Sequence, residues 1–185
     1  MYSILLKTQT IADKLQAILN TITIRWKDSE STQSYHEEKP KVYAFTYDDL
    51  TGDFPLDTPS CLVQVLSIQN DIAEFCIYCC VCNPALQDKE ITIPVQGNEN
   101  VYQYKTSENI DSKCIRSELY RACLMLGEQV YLAVNQMSND DESISGVALN
   151  TPDPYMAEFP YCECTITFNL ALSYTKIKSQ LWEML

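Results

Sequence analysis

Histidine is almost absent from this chain, and the single one, His36, lies in a polar stretch between Tyr35 and Glu37. A Cys–His nucleophilic pair would have to use it, and no neighbour in that stretch is placed to orient its ring, so a solvated histidine is the simpler reading. Glycine is scarce too. Gly52, Gly97, Gly127 and Gly146 stand so far apart that neither common glycine-rich phosphate loop can be written with them. No window approaches about 18 consecutive apolar residues, the length a membrane-spanning helix needs.

Basic charge is the next shortage. Thirteen Lys and Arg face 25 Asp and Glu, a net charge of −12, which argues against binding nucleic acid or an anionic membrane by charge. The deficit is also local: Val42–Asp88 and Ala122–Thr175 contain no Lys or Arg and seven carboxylates each. Those segments present acidic surface to solvent or to a basic partner. Met1–Leu6 is too short for a signal peptide, and Lys7 follows the apolar run rather than preceding it. The expectation is a protein made in the cytoplasm, with its nine cysteines reduced and most of them acting as small buried hydrophobes.

What is present is a long periodic segment, Ile110–Met137, without a proline. Ile115, Leu119, Ala122, Leu126, Val130, Ala133 and Met137 recur at intervals of three and four, one face of a 3.6-residue period. Such a helix would reach about 40 Å. Tyr120, Cys123, Leu124, Tyr131 and Val134 widen the stripe, so its flanks should also be covered, by other elements or by a neighbouring subunit. Asp111 and Ser112 are candidate N-caps, and Gly127 is either a weak point or a point of close contact.

Before it, Ile4, Ile11, Leu15, Ile18 and Ile22 predict a helix over Ser3–Asn20, or one entered at Thr10 through the partial capping box Thr10-x-x-Asp13. Thr21–Trp26 alternates as a short strand, Lys27–Lys41 reads as an exposed loop, and Val42–Tyr47 reads as a strand. Cys61–Gln69 and Ile72–Cys82 flank Asn70–Asp71 as a hairpin that lacks the usual turn glycine. Lys89–Val95 and Val101–Lys105 are shorter strand candidates. Ser138–Asp153 reads as a polar loop. Tyr161–Leu170 alternates cleanly, with Cys162, Cys164, Ile166, Phe168 and Leu170 on one side. Ser173–Leu185 reads as a short helix using Ile177, Leu181 and Leu185, or as an arm. The fold class is α+β: an antiparallel or mixed sheet of about four to six strands packed against the long helix and the N-terminal helix, in one domain over 1–170 with a tail over 171–185.

Chemistry is hard to find in this pattern. Cys76-x-x-Cys79-Cys80-x-Cys82, with Cys162-x-Cys164, resembles zinc-ligand spacing. On a strand, however, Cys79 points away from Cys76, Cys80 and Cys82, and the intervening Ile77, Tyr78 and Val81 do not make the tight turn a zinc knuckle needs. Buried structural thiols are the simpler reading. Asp48–Asp49 and Asp140–Asp141–Glu142 lie in turn-like stretches, where carboxylates are ordinary. The residue pattern therefore calls for no catalytic residue, metal or cofactor, and the chain is read as a non-enzyme.

The order of elements carries a resemblance. A strand entered through proline (Thr58-Pro59-Ser60-Cys61-Leu62-Val63-Gln64-Val65) meets a hairpin partner ending Ile77-Tyr78-Cys79-Cys80-Val81-Cys82-Asn83-Pro84. A long helix, an acidic loop and a last strand follow, of the form Glu158-Phe159-Pro160-Tyr161-Cys162-Glu163-Cys164-Thr165-Ile166-Thr167-Phe168. Over about Ser3–Leu170 this pattern resembles the tail terminator, or tail completion, proteins of long-tailed bacteriophages and prophages. The resemblance implies a structural virion protein, made in the bacterial cytoplasm, whose copies form a ring, typically a hexamer, that caps the tail tube and meets the head connector. Tyr120, Leu124 and Tyr131, outside the main helical stripe, and Asp140, Asp141 and Glu142 are then the candidate interface. Two alternatives stand beside it: another head–tail connector, or a small acidic intracellular binding or adaptor domain. A thiol-dependent or zinc protein built on Cys76–Cys82 is the third class.

Overall fold

Apolar residues at helical spacing begin the fold. In the computed structural model Tyr2–Leu19 forms α1, and Ile4, Thr8, Ile11, Ala12, Leu15 and Leu19 are its buried face. The structure describes residues 2–27, 35–44, 58–83, 86, 89–91, 103–105, 113–140, 143–151 and 161–172. Thr10 is not a helix start: its hydroxyl donates to the Leu6 carbonyl at 2.8 Å, one turn inside α1, and Asp13 accepts from Gln9 instead of closing a capping box.

The first strand is shorter than its alternation suggests. β1 (Ile24–Trp26) pairs antiparallel with β2 (His36–Glu38), setting Arg25 opposite Glu37 and Trp26 opposite His36. Lys27–Lys41 is therefore not all loop. The backbone ladder with β1 and the stacking of His36 on Trp26 hold β2 although all three of its residues are exposed, so its composition carries no apolar signal.

The main sheet has five strands in the order β3 (Lys41–Ala44), β4 (Ser60–Gln69), β5 (Ile72–Cys82), β9 (Tyr161–Ala171), β8 (Ile144–Asn150). Only β3 and β4 run parallel, so the sheet is mixed. The β4–β5 hairpin turns through Asn70 and Asp71, both at positive φ (50° and 63°). That is the left-handed pair a two-residue hairpin turn needs, and Asn and Asp tolerate it in the absence of glycine. A bulge between Val65 and Ser67 bends β4. β6 (Lys89–Ile91) and β7 (Gln103–Lys105) form a separate antiparallel ribbon.

α2 (Lys113–Asp140) lies on the sheet against β5, β9 and β8, beside α1, which covers β3 and β4. Every residue of its sequence-derived stripe is buried, and Cys123, Gly127 and Val134 join them. Beneath, Ala73, Phe75, Ile77, Cys79 and Val81 of β5 face the helices, as do Cys162, Cys164, Ile166, Phe168 and Leu170 of β9. Phe75 and Phe168 are direct partners, their rings stacked 5.2 Å apart. Burying side chains of this size contributes about 1.5–3 kcal/mol each.

Two predicted segments need correction. The helix runs on to Asp140, and the segment read as a polar loop contains β8. A bulge between Ser145 and Ala148, with Gly146 at φ 66°, breaks the alternation that would have announced the strand. Asp111 and Ser112, the end of the Val42–Tyr47 segment and Ser173–Leu185 lie outside the described residues. Among the described residues no helix is long and apolar enough to cross a membrane.

Candidate functional site

Strand register gathers the cysteines. Cys61, Cys79 and Cys164 are consecutive cross-strand partners on β4, β5 and β9, a row of thiols running across the sheet under α2. Even-numbered β9 residues bond toward β5, since Leu172 N–H donates to the Asp71 carbonyl, while Ala171 N–H turns to β8 and the Ser143 carbonyl. Cys79–Cys164 is then a hydrogen-bonded pair and Cys79–Cys61 a non-bonded one, where side chains stand closer. The Cys61 and Cys79 sulfurs are 3.8 Å apart. From above, Cys123 of α2 closes the row: Cys164 Sγ donates to the Cys123 carbonyl at 3.6 Å.

The helix comes this near because Gly127 has no side chain. A Cβ there would stand 2.6 Å from Cys164 Sγ and 3.2 Å from Leu149 Cδ1. Small polarizable thiols on the sheet and glycine on the helix are two halves of one close approach.

Burial decides what these thiols can do. It pushes Cys79 well up, and the neighbouring Cys162 and Cys164 sulfurs, with burial, push Cys123 up. Cys164 is drawn down, because the Cys123 and Cys79 thiols both point at its sulfur and outweigh desolvation. It is 3% exposed, so a reactant has no path to it. On the other face of β5, burial raises Cys76 and Cys80, and Cys82 is pushed up to about 11. Among the described residues no group of three or more His, Cys, Asp or Glu is arranged to hold a metal ion. The thiols here pack; Cys114, at the start of α2, is the exposed one.

His36 is on β2, not in a loop. It is exposed, and its ring stacks on Trp26 with centroids 5.7 Å apart. Beside it the Tyr35 ring holds Arg25 and Lys27 within 5.2 and 5.0 Å. This aromatic and cationic corner stiffens the β1–β2 ribbon, whose Asn83 anchor donates to the Lys27 carbonyl at 2.9 Å.

The candidate interface residues that the structure describes fall on one helix. Tyr120, Leu124 and Tyr131 are half-buried on α2, with Tyr120 and Tyr131 packed against the core, and Asp140 is exposed at the helix's last position. Asp141 and Glu142 lie outside the described residues. Sequence reasoning missed two further features, both at the sheet's edges. Gln16 of α1 accepts from Val42 N–H at 2.7 Å and donates to the Pro40 carbonyl at 3.1 Å, standing where a neighbouring strand would pair with β3. Among the described residues no strand lies beyond β8 at the opposite edge. No spacing rule flags a helix glutamine as an edge cap, and the β8 edge was hidden with the strand itself. Comparison with family models, with curated proteins and with solved structures finds no match to this chain.

Proposed function

We propose that this protein is a structural subunit of a long-tailed phage or prophage particle, of the tail terminator kind. Its copies close into a ring that caps the tail tube and meets the head connector. The arrangement of elements carries this reading: a long helix laid across a sheet made from the β4–β5 hairpin and a last alternating strand, with α1 beside it and acidic residues 140–142 following in the sequence. Exposed apolar side chains support it. Leu66, Ile68 and Ile72 at the hairpin tip and Leu132 on α2 are each about half exposed, which suits contact surfaces between subunits.

Sedimentation across a wide concentration range, with negative-stain microscopy of the same samples, tests the reading. Closed rings of one size are expected. A single-subunit species at every concentration, pulling down one partner, would replace it with the adaptor reading.

A further inference from the structure

We propose that Cys61 and Cys79 are a latent cross-strand disulfide, closed by exchange with a small-molecule disulfide while the β4–β5 hairpin is forming or briefly open, and shielded from reductant once the core has packed over it. The inference stands apart from the assembly proposed above, so either can fail alone.

Register makes the pair. Cys79 turns its backbone N–H and C=O toward Cys164, which leaves Cys61–Cys79 a non-bonded pair with α-carbons about 4.5 Å apart. That spacing lies within the range a disulfide spans. The Cys61 thiol already points at the Cys79 sulfur across 3.8 Å. Closing this gap to a bond of about 2 Å asks for rotation of two side chains and leaves the β4–β5 ladder in place.

The other thiols are poorer partners. Cys164 faces Cys79 across a bonded pair, where side chains stand farther apart, and its own thiol is turned to the Cys123 carbonyl. Cys76, Cys80 and Cys82 belong to the opposite face of β5. Chain distance agrees: Cys61 and Cys79 are 18 positions apart in one hairpin, so they meet as soon as β4 and β5 pair.

Burial sets the conditions. Both residues are fully buried, and burial, with the Cys164 and Cys61 thiols beside it, holds the Cys79 thiol well above its usual range. Thiolate is the attacking species, so the packed molecule is inert. In the open hairpin one protein thiolate attacks a disulfide RSSR, forming a protein–S–SR bond and expelling RS⁻. The second protein thiolate then attacks the protein sulfur of that bond and expels the other RS⁻. The two protons lost by the cysteines end on the two RSH products, so two protein thiols are oxidised and one RSSR is reduced. Packing of α1 and α2 over the sheet then keeps reductant out as it kept oxidant out. The closed bond also restricts the unfolded chain.

The test uses the full-length protein, unfolded in urea and refolded either with reduced glutathione alone or with a mixture of reduced glutathione and glutathione disulfide. Cleavage after Glu74 parts Cys61 from Cys79 unless a bond joins them, and fragmentation of the joined peptides tells Cys79 from Cys76, Cys80 and Cys82. Refolding with the disulfide should remove two hydrogens from the mass, join Cys61 to Cys79, and raise the urea midpoint by about 1–2 M over the reduced protein. Dithiothreitol should leave the bond intact in native buffer and cut it in urea. A Cys61 peptide recovered free, carrying glutathione, or joined to another cysteine would overturn the pairing. A midpoint that does not rise would overturn the staple, and reduction as fast in native buffer as in urea would overturn the shielding. The mapping is done on the parent sequence, so no variant has to fold for it to decide.

Discussion

At one edge of the sheet β3 turns the Val42 N–H and the Pro40 carbonyl toward α1, and the amide of Gln16 answers both. At the other edge β8 turns the N–H and C=O of Leu149 outward with no described strand beside them, and the Ser138 hydroxyl meets the Ile144 carbonyl at 2.9 Å. Both edges lie under helices, so cover from above does not explain the difference. An edge is closed by groups that meet its outward N–H and C=O; among the described residues Gln16 answers both groups on β3, whereas on β8 the Ser138 hydroxyl meets the Ile144 carbonyl and no described group pairs with Leu149. Among the described residues the sheet is thus closed on the side of α1 and left open at Leu149 on the side of α2. An edge that natural proteins usually guard has here been kept pairable.

The strongest way to disturb this comparison is to lift α2 from the β8 side. In Gly127→Ala the new methyl meets Cys164 Sγ at 2.6 Å and Leu149 Cδ1 at 3.2 Å. Overpacking of about 3 kcal/mol, less roughly 1 kcal/mol that Ala gains over Gly inside a helix, leaves a net loss of about 2 kcal/mol in urea unfolding. Cys164→Ala removes the obstructing sulfur. In that background the same Gly127→Ala change should become neutral or stabilising, a coupling that a double-mutant cycle reads directly. Equal losses in both backgrounds would mean the glycine matters for some reason other than this contact.

How much of this was visible in the residues differs from element to element. α2 was legible almost to its ends, Lys113–Asp140 against an expected Ile110–Met137, because ten buried positions repeat one period without a break. β9 was legible because it alternates over 11 residues, and β5 because it is a nearly unbroken run of apolar strand formers after a turn. β8 was not: its bulge spaces Ile144, Val147 and Leu149 by three and then two, a pattern belonging to neither helix nor strand. β2 was invisible for the opposite reason, having no apolar residue at all. Of the candidate site, Tyr120, Leu124 and Tyr131 could be read as leftovers of the α2 period. The Gln16 cap could not be read, since one polar residue on a helix flank looks like any other until the strand beside it is placed.

Removing that cap should make the two edges alike. Gln16→Ala strips the acceptor from Val42 N–H and the donor from the Pro40 carbonyl. Both groups are only part-buried and water can replace some of the loss, so the expected cost is about 1.5 kcal/mol. The sharper readout is local: exchange at the Val42 amide should quicken while amides of β5 hold. A variant that unfolds earlier but leaves Val42 as protected as before would show that the cap contributes through helix packing rather than by closing the edge.

The smallest effect concerns the bulge in β8. Gly146 sits at φ 66°, a conformation that costs an L-residue about 1 kcal/mol, and a Cβ there would approach Asn169 Nδ2 at 3.2 Å. Gly146→Ala should therefore lower stability by about 1 kcal/mol in a urea titration. The more telling consequence is in the edge itself. The bulge shifts register between Ser145 and Ala148, and so decides that Leu149 rather than Ala148 points outward. If the alanine variant keeps the bulge, the Leu149 amide stays the outward one and exchanges as in the parent protein. If the chain instead escapes the strain by flattening the bulge, β8 slips by one residue against β9, Leu149 turns its apolar side chain away from Gly127, and the loss of stability grows well beyond that of the backbone strain alone. The size of the loss therefore reports whether register in β8 is held by the glycine or by Leu149 seated beneath α2.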